Sequence, residues 1–370
     1  MKIILFANTD WYLYNFRLPL AEKLVEEGHK VLLISPAGNY GYRILNAGYD
    51  WRQLSMSRKG INPLKEARSI LKLIDLLKRE KPNLIHNFTI KCMLYGTLAA
   101  RLSGVEHIIN AVTGLGYMFS KKNFFTLLAT PLISALYRLL LKGTTVIFQN
   151  ASDQQFLIKR NMVMEQDSFL VPSSGVDISR FIPKPEVVEP GMVILAARML
   201  WDKGVGEFVE AARQLKPTYP SFRFVLVGSS DSGNPASISR KQLQEWVQEG
   251  IVEWWGWQED MVSVYQKAEI VCLPSYHEGL SKSLIEAAAC GRPLISTDIP
   301  GCREVVHHGI NGLIVPKEDG KALAKAILQM LSKPKELESM GKDSRIIAEN
   351  DYSLKKVVAD TIQVYNQLIH

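Results

Sequence analysis

Short apolar runs alternate with longer amphipathic segments along almost the whole chain, and nothing else in the sequence limits the fold as strongly. In the first half the runs are Ile3–Ala7, Val31–Ser35, Leu84–Ile85, His107–Val112 and Val146–Gln149. Between them, apolar residues recur at helical spacing over about Phe16–Glu27, Pro63–Lys78, Leu94–Leu102 and Asp153–Lys159, and Gly28 reads as a helix C-terminal stop. The second half continues with strands at Met192–Ala196, Arg223–Val227, Val252–Trp255, Ala268–Leu273, Pro293–Thr297 and Ile310–Val315. Helical segments fall at Val205–Leu215, Ser239–Gln248, around Glu286, at Gly320–Leu331 and at Ser353–Leu368. Strands that are apolar without alternation are covered on both faces, and strand–helix alternation builds open parallel sheets with helices on each side. The expected class is therefore α/β, and 370 residues are long for one core but comfortable for two. The expected division is a first Rossmann-like domain over 1–170, a proline-rich linker over 171–190 and a second domain over 191–350. A terminal helix over 351–370 is expected to return to the first domain.

Open parallel sheets bind ligands at the carboxyl ends of their strands, so the loops that follow the runs carry the chemistry. The first such loop, Asn8-Thr9-Asp10-Trp11-Tyr12 leading to Arg17, lacks a glycine-rich phosphate turn and disfavours a nicotinamide cofactor. His86 and Lys91 border the next, and Thr113-Gly114 follows Val112. A histidine at a strand end reads equally as a buried structural residue or as a ligand contact.

In the second half, Arg198 stands just past the strand Met192–Ala196, and Lys203 just before a helix. Either is a surface residue or a partner for a departing diphosphate, which a bidentate guanidinium and a mobile ammonium stabilise. Pro274 ends another apolar run, and Glu278 and Glu286 follow it with seven residues between them. Ser281 or Ser283 can cap the helix between them, leaving the amides of Gly279, Leu280 and Ser281 near its positive end. Two carboxylates flanking a phosphate-favouring turn suit a sugar nucleotide, although glutamates at this spacing also arise as solvated helix residues.

The net charge of +7 is uneven. Residues 1–170 carry 22 Lys and Arg against 12 Asp and Glu, whereas 171–370 carry 22 against 25. The first half thus faces something anionic, or is simply well solvated. No basic recognition helix or aromatic RNA motif points to nucleic acid. The stretch Asn123–Leu141 is strongly apolar but interrupted by Pro131 and Arg138, and its clean part, Phe124–Tyr137, is shorter than the ~20 residues of a bilayer span. With Lys121, Lys122, Arg138 and Lys142 around it, it reads as a helix lying on the inner leaflet or as a core helix. The five-residue apolar start is shorter than a signal-peptide core and reads as a first strand. Four cysteines without a CxxC pair and seven scattered histidines give an expected cytoplasmic, metal-free protein with free thiols.

The order Pro-Ser, Glu-Gly, seven-residue gap, Glu-Ala and Gly-Arg-Pro in PSYHEGLSKSLIEAAACGRP resembles the E-x7-E signature of retaining GT4 glycosyltransferases. ARMLWDKG resembles that family's R-x4-K-G donor-phosphate motif, GVDISRFIP its interdomain turn, GWQEDM its base loop and IPGCREVV the loop that follows. NTDWYLYNFRLPL, HNFTIKCMLYG and VTGLGYMF are similar to a bacterial subgroup acting in surface-glycan precursor assembly. Within it, the likeness is to α-1,3-N-acetylgalactosaminyltransferases that extend undecaprenyl-diphosphate-linked saccharides.

The resemblance implies a GT-B fold, two Rossmann-like domains facing each other across a cleft, and metal-independent transfer from a UDP-sugar to a polyprenyl-diphosphate-linked saccharide at the inner membrane face. It implies donor contacts at Arg198, Lys203, Gly228, Trp257, Glu278, Gly279, Leu280, Ser281 and Glu286, with Arg198, Lys203 and Glu278 in the chemistry. Acceptor contacts are expected at Asn8, Asp10, Arg17, His86, Lys91, Thr113 and Lys121. Two features depart from the family: no histidine stands at Val112-Thr113-Gly114, and the first loop lacks paired glycines. The competing readings are a GT-B-type sugar-nucleotide epimerase and a non-catalytic nucleotide-sugar-binding scaffold.

Overall fold

The computed structural model describes residues 1–57, 62–114, 134–231 and 233–369. They form two compact units, Met1–Gly175 with Val357–His370, and Val176–Lys356. The division at Gly175/Val176 falls inside the proline-rich segment.

The first unit is built on a parallel sheet of seven strands among the described residues, ordered β3-β2-β1-β4-β5-β6-β7. These are β1 (Lys2–Phe6), β2 (Lys30–Ser35), β3 (Asp50–Gln53), β4 (Leu84–Phe88), β5 (His107–Val112), β6 (Thr145–Phe148) and β7 (Ser168–Leu170). One face packs Ile3, Leu5, Leu13, Leu20 and Phe88 together with Val357, Ile362 and Tyr365 of the terminal helix Leu354–Ile369. The other packs Ile4, Phe6, Ile34, Ile85 and Ile108 against Leu73 and Leu77 of the helix Pro63–Glu80. Burial on both faces explains why these strands are apolar without alternation.

The helix expected over about Phe16–Glu27 is Leu18–Glu26, and a further helix, Asp10–Phe16, precedes it and meets it at Arg17. Pro19 forces the break, because a proline is tolerated in the first turn of a helix but not in its interior. The loop expected at Asn8–Tyr12 therefore ends early, at a helix capped by Thr9, whose hydroxyl accepts from the Tyr12 amide at 3.1 Å. Most of Phe124–Tyr137 lies outside the described residues. Residues 134–141 are helical, with Tyr137 and Leu141 in the core beside Val146 and Phe148.

The second unit carries a parallel sheet of six strands among the described residues, ordered β10-β9-β8-β11-β12-β13. They are β8 (Met192–Ala196), β9 (Arg223–Val227), β10 (Glu253–Gly256), β11 (Ile270–Leu273), β12 (Leu294–Thr297) and β13 (Gly312–Val315). In both sheets the strand order reverses beside the first strand, at β1/β4 and at β8/β11. Such switch points open a crevice at the strands' carboxyl ends, because successive connections leave to opposite sides.

Candidate active site

The β8/β11 switch point gathers the residues singled out in the second half. After β8 the chain runs through Arg198 to a short 3-10 turn, Trp201–Lys203, and Gly204 then opens the helix Val205–Leu215. Gly204 has φ +72°, and a Cβ there would stand 2.1 Å from the Pro274 carbonyl oxygen, so only glycine lets the two loops meet. The Tyr276 amide donates to the Asp202 carbonyl at 2.9 Å, and the Ser275 hydroxyl to the same oxygen at 3.1 Å. This backbone junction sets Lys203 Nζ 2.6 Å from Glu278 Oε1, with the two side chains only 17% and 13% exposed. The Tyr276 hydroxyl donates to Glu207 Oε1 at 2.5 Å, a second tie from the Glu278 loop to the helix that Gly204 opens.

Ser281, not Ser283, caps the helix Lys282–Ala289, its hydroxyl accepting from the Leu284 amide at 3.4 Å. Glu278 and Gly279 thus lie in the turn, and Leu280 is buried. Glu286 lies within the helix. Its carboxylate accepts from the Tyr265 hydroxyl at 3.4 Å and stands 3.7 Å from Lys282 Nζ. Burial nevertheless raises its pKa, since desolvation disfavours the charged form more than Lys282 favours it.

Arg198 pairs with Asp231 at 3.1 Å, and its side chain is 49% exposed. A surface pair of this kind contributes ~0–1 kcal/mol, so another anion can replace Asp231 at little cost. Gly228, with φ +137°, has a backbone reason to be glycine: a Cβ there would stand 1.8 Å from the Ala197 carbonyl oxygen. Its amide donates to the Gly256 carbonyl at 2.7 Å. Trp257 follows β10 and is 59% exposed.

On the first unit, the fold uses two of the expected acceptor residues itself. Asp10 is buried, and its carboxylate accepts from the amides of Trp11, Tyr40 and Gly41 at 2.8, 2.8 and 2.9 Å, tying the loop after β2 to the helix after β1. Lys91 pairs with Glu66 at 2.8 Å and donates to the Ser57 carbonyl at 2.6 Å. Asn8 and Thr113 are half-buried at strand ends, and Lys121 lies outside the described residues. Arg17 and His86 are buried together around Phe88, joined by Tyr365. Tyr276, Glu207 and Tyr365 were absent from the sequence reading. Their partners lie 69 and 279 positions away, and no local pattern marks such pairs.

Residues 190–333 match the model of the glycosyl transferases group 1 family, and residues 2–151 that of the glycosyl transferase 4-like family. The chain is 29% identical, over 90% of each protein, to the N,N'-diacetylbacillosaminyl-diphospho-undecaprenol alpha-1,3-N-acetylgalactosaminyltransferase of Campylobacter jejuni. It is 25% identical to the UDP-Gal:alpha-D-GlcNAc-diphosphoundecaprenol alpha-1,3-galactosyltransferase of Escherichia coli, over 84% of this chain and 82% of that one. Among solved structures, Anabaena HepE superposes with a TM-score of 0.79 at 16% identity, over 99% of this chain and all of that one. With a glycosyltransferase model matched on each half and a sheet of the corresponding topology beneath each, the chain belongs to the GT4-type glycosyltransferases, hexosyltransferases of GT-B fold.

Proposed function

We propose that the enzyme transfers an N-acetylhexosamine, N-acetylgalactosamine before others, from a UDP-sugar to an undecaprenyl-diphosphate-linked saccharide, with retention of anomeric configuration. The product serves assembly of a bacterial surface polysaccharide or glycoprotein glycan. One observation carries this reading: the loops at the β8/β11 switch point, which also lead to exposed Arg198 and half-buried Glu286, bring Lys203 to within 2.6 Å of Glu278. The names of the relatives support it, since the proteins from C. jejuni and E. coli both act on undecaprenol-linked diphospho-sugars and the latter uses UDP-Gal. N-acetylgalactosamine is taken from the relative with the higher identity.

In this scheme Glu286 accepts from the ribose hydroxyls and Glu278 holds the donor sugar or faces the positive charge that develops at its anomeric carbon. The bond from that carbon to the UDP oxygen breaks, and a bond to the acceptor hydroxyl oxygen forms on the same face. The acceptor proton passes to the departing phosphate. Arg198 and Lys203 stabilise the negative charge growing on that phosphate, the role for which preorganised cations are most effective. The scheme assigns this role to side chains and calls for no resident metal or cofactor. It also places the enzyme on the inner face of the cytoplasmic membrane, where a lipid-linked acceptor is reached. The basic surplus of residues 1–170 supports this, and no helix among the described residues is long and apolar enough to cross a membrane.

The test is a panel of UDP- and GDP-sugars with an undecaprenyl-diphosphate-linked aminosugar, run on wild type and Arg198→Ala. Lipid-linked product is expected with one UDP-N-acetylhexosamine, and turnover of the variant is expected to fall by about 10²-fold or more. Product with GDP-sugars alone, or with no donor, would overturn the donor assignment. Near wild-type turnover of Arg198→Ala would remove the leaving-group role.

A further inference from the structure

The first unit has its own switch point, between β1 and β4, and two unsatisfied donors are buried beside it. Arg17, at the joint of the two helices that follow β1, is 6% exposed. Its guanidinium lies 4.3 Å over the Phe88 ring, and Nη2 donates to the Tyr12 hydroxyl at 2.5 Å. Among the described residues it pairs with no carboxylate, and its buried Nε donates to nothing. A buried guanidinium held only by a phenol and an aromatic face is an uncompensated charge, which folded proteins avoid unless something supplies the anion.

His86, on β4, is 2% exposed and its ring lies 4.0 Å from that of Phe88. Its Nδ1 is 2.6 Å from the Tyr365 hydroxyl. Burial holds the imidazole well below its usual pKa, with Arg17 acting in the same direction, so the ring is neutral. Burial also keeps the Tyr365 hydroxyl protonated, and His86 Nδ1 is its one acceptor among the described residues. The tyrosine therefore donates to Nδ1, and the ring proton sits on Nε2, which is buried without a partner. Arg17 Nε and His86 Nε2 are thus both donors, and one belongs to a cation. The 14-residue helix Ile90–Ser103 begins directly after β4, with its positive end at the same strand terminus.

Resting on the reading under "Proposed function", we infer that this joint is an anion site for the acceptor's diphosphate, with Arg17 and His86 Nε2 as donors and Tyr365 positioning His86. The chemistry fits a phosphate oxygen, because Arg17 and His86 Nε2 only donate, they carry a net positive charge, and the Thr89 hydroxyl, also buried without a partner at the end of β4, can donate as well. Of the cationic residues expected at the acceptor, Arg17 is thus the one assigned here, and Lys91 is held by Glu66 and the Ser57 carbonyl.

The experiment titrates the full chain, with UDP saturating the donor site, first with inorganic pyrophosphate and then with a short-chain prenyl diphosphate. Calorimetry and thermal unfolding are read on wild type, Arg17→Met and Tyr365→Phe. Both ligands are expected to bind wild type and compete with each other. Arg17→Met should weaken both by about tenfold or more, the loss of a charge-assisted hydrogen bond, and leave UDP affinity within about twofold. The substitution removes an unpaired buried charge, so the unliganded variant should melt at or above the wild-type temperature, which a structural role would not allow. Tyr365→Phe, which frees the His86 tautomer, should weaken diphosphate binding by a smaller factor. Pyrophosphate bound equally by wild type and Arg17→Met, or by neither, would overturn the inference and leave the joint a water-filled contact. So would a lower melting temperature of unliganded Arg17→Met. Binding of pyrophosphate but not the prenyl diphosphate would overturn the acceptor assignment. UDP binding in these failures would leave the donor half of the proposed function standing, whereas its absence would strike that function itself.

Discussion

Lys203 and Glu278 are 75 positions apart in sequence and 2.6 Å apart in the fold, and each stands out from its own short motif. Motif residues are legible because the chemistry dictates the residue type, whereas positioning residues are legible only through their contacts. His86 illustrates the second kind. At a strand end it read equally as a structural residue or a ligand contact, and Tyr365, which decides its tautomer, lies 279 positions away. Asp10 has a structural role that no local pattern shows, because three backbone amides of its own unit donate to its carboxylate. The depressed pKa of His86 has a measurable consequence. Below the unfolded value of about 6.5 the unfolded chain takes up a proton that the buried ring refuses, so stability is present above that pH and lost as pH falls through it. The slope from this one group reaches ~1.4 kcal/mol per pH unit. His86→Gln should flatten the pH dependence of the unfolding free energy from urea titrations between about pH 6.5 and pH 5 by up to that amount. Equal slopes in the two chains would show that His86 is protonated in the fold.

At the scale of elements, the loops of the candidate site are held by packing between β-α units that are neighbours in the sheet. Gly204 meets Pro274 backbone to backbone, and Tyr276 reaches across to Glu207 on the helix Val205–Leu215. The apolar runs located β1, β2, β4 and β8 because those strands are covered on both faces. They missed β3 and β7, whose residues are half-buried or exposed and carry no run. The helix Pro334–Tyr352 carries no apolar run either, since its few buried positions are spread through a polar segment. The Tyr276–Glu207 tie predicts its own test. Removing the hydroxyl leaves the Glu207 carboxylate, whose Oε2 is already buried without a partner, with neither oxygen bonded. Tyr276→Phe should therefore cost about 1–3 kcal/mol in urea unfolding, while Glu207→Gln, which keeps an acceptor for the hydroxyl, should cost less. Should Tyr276→Phe unfold at the wild-type midpoint, the loop is held by its backbone junction alone.

For the molecule as a whole, two parallel sheets followed from the strand–helix alternation, and the switch points followed from strand order, which the sequence does not display. Charge is the other whole-chain property, and it was legible from the start. Residues 1–170 hold a surplus of ten positive charges, and residues 171–370 a deficit of three. Leu136 and Leu139 are 42% and 65% exposed on the helical residues 134–141, so part of this basic unit presents apolar side chains to its surroundings. An enzyme with a lipid-linked acceptor gains from residence at an anionic surface, and basic residues near such a surface contribute ~1 kcal/mol each. The chain should float with liposomes containing anionic lipid at low salt and be released as ionic strength rises, because the Debye length shrinks to about 3 Å at 1 M. Exchanging Lys121 and Lys122 for glutamine should weaken that binding by ~2 kcal/mol, about thirtyfold in partitioning. Binding that persists in high salt and ignores both lysines would assign the attraction to apolar contact alone, and binding to neutral liposomes as tight as to anionic ones would remove the electrostatic account altogether.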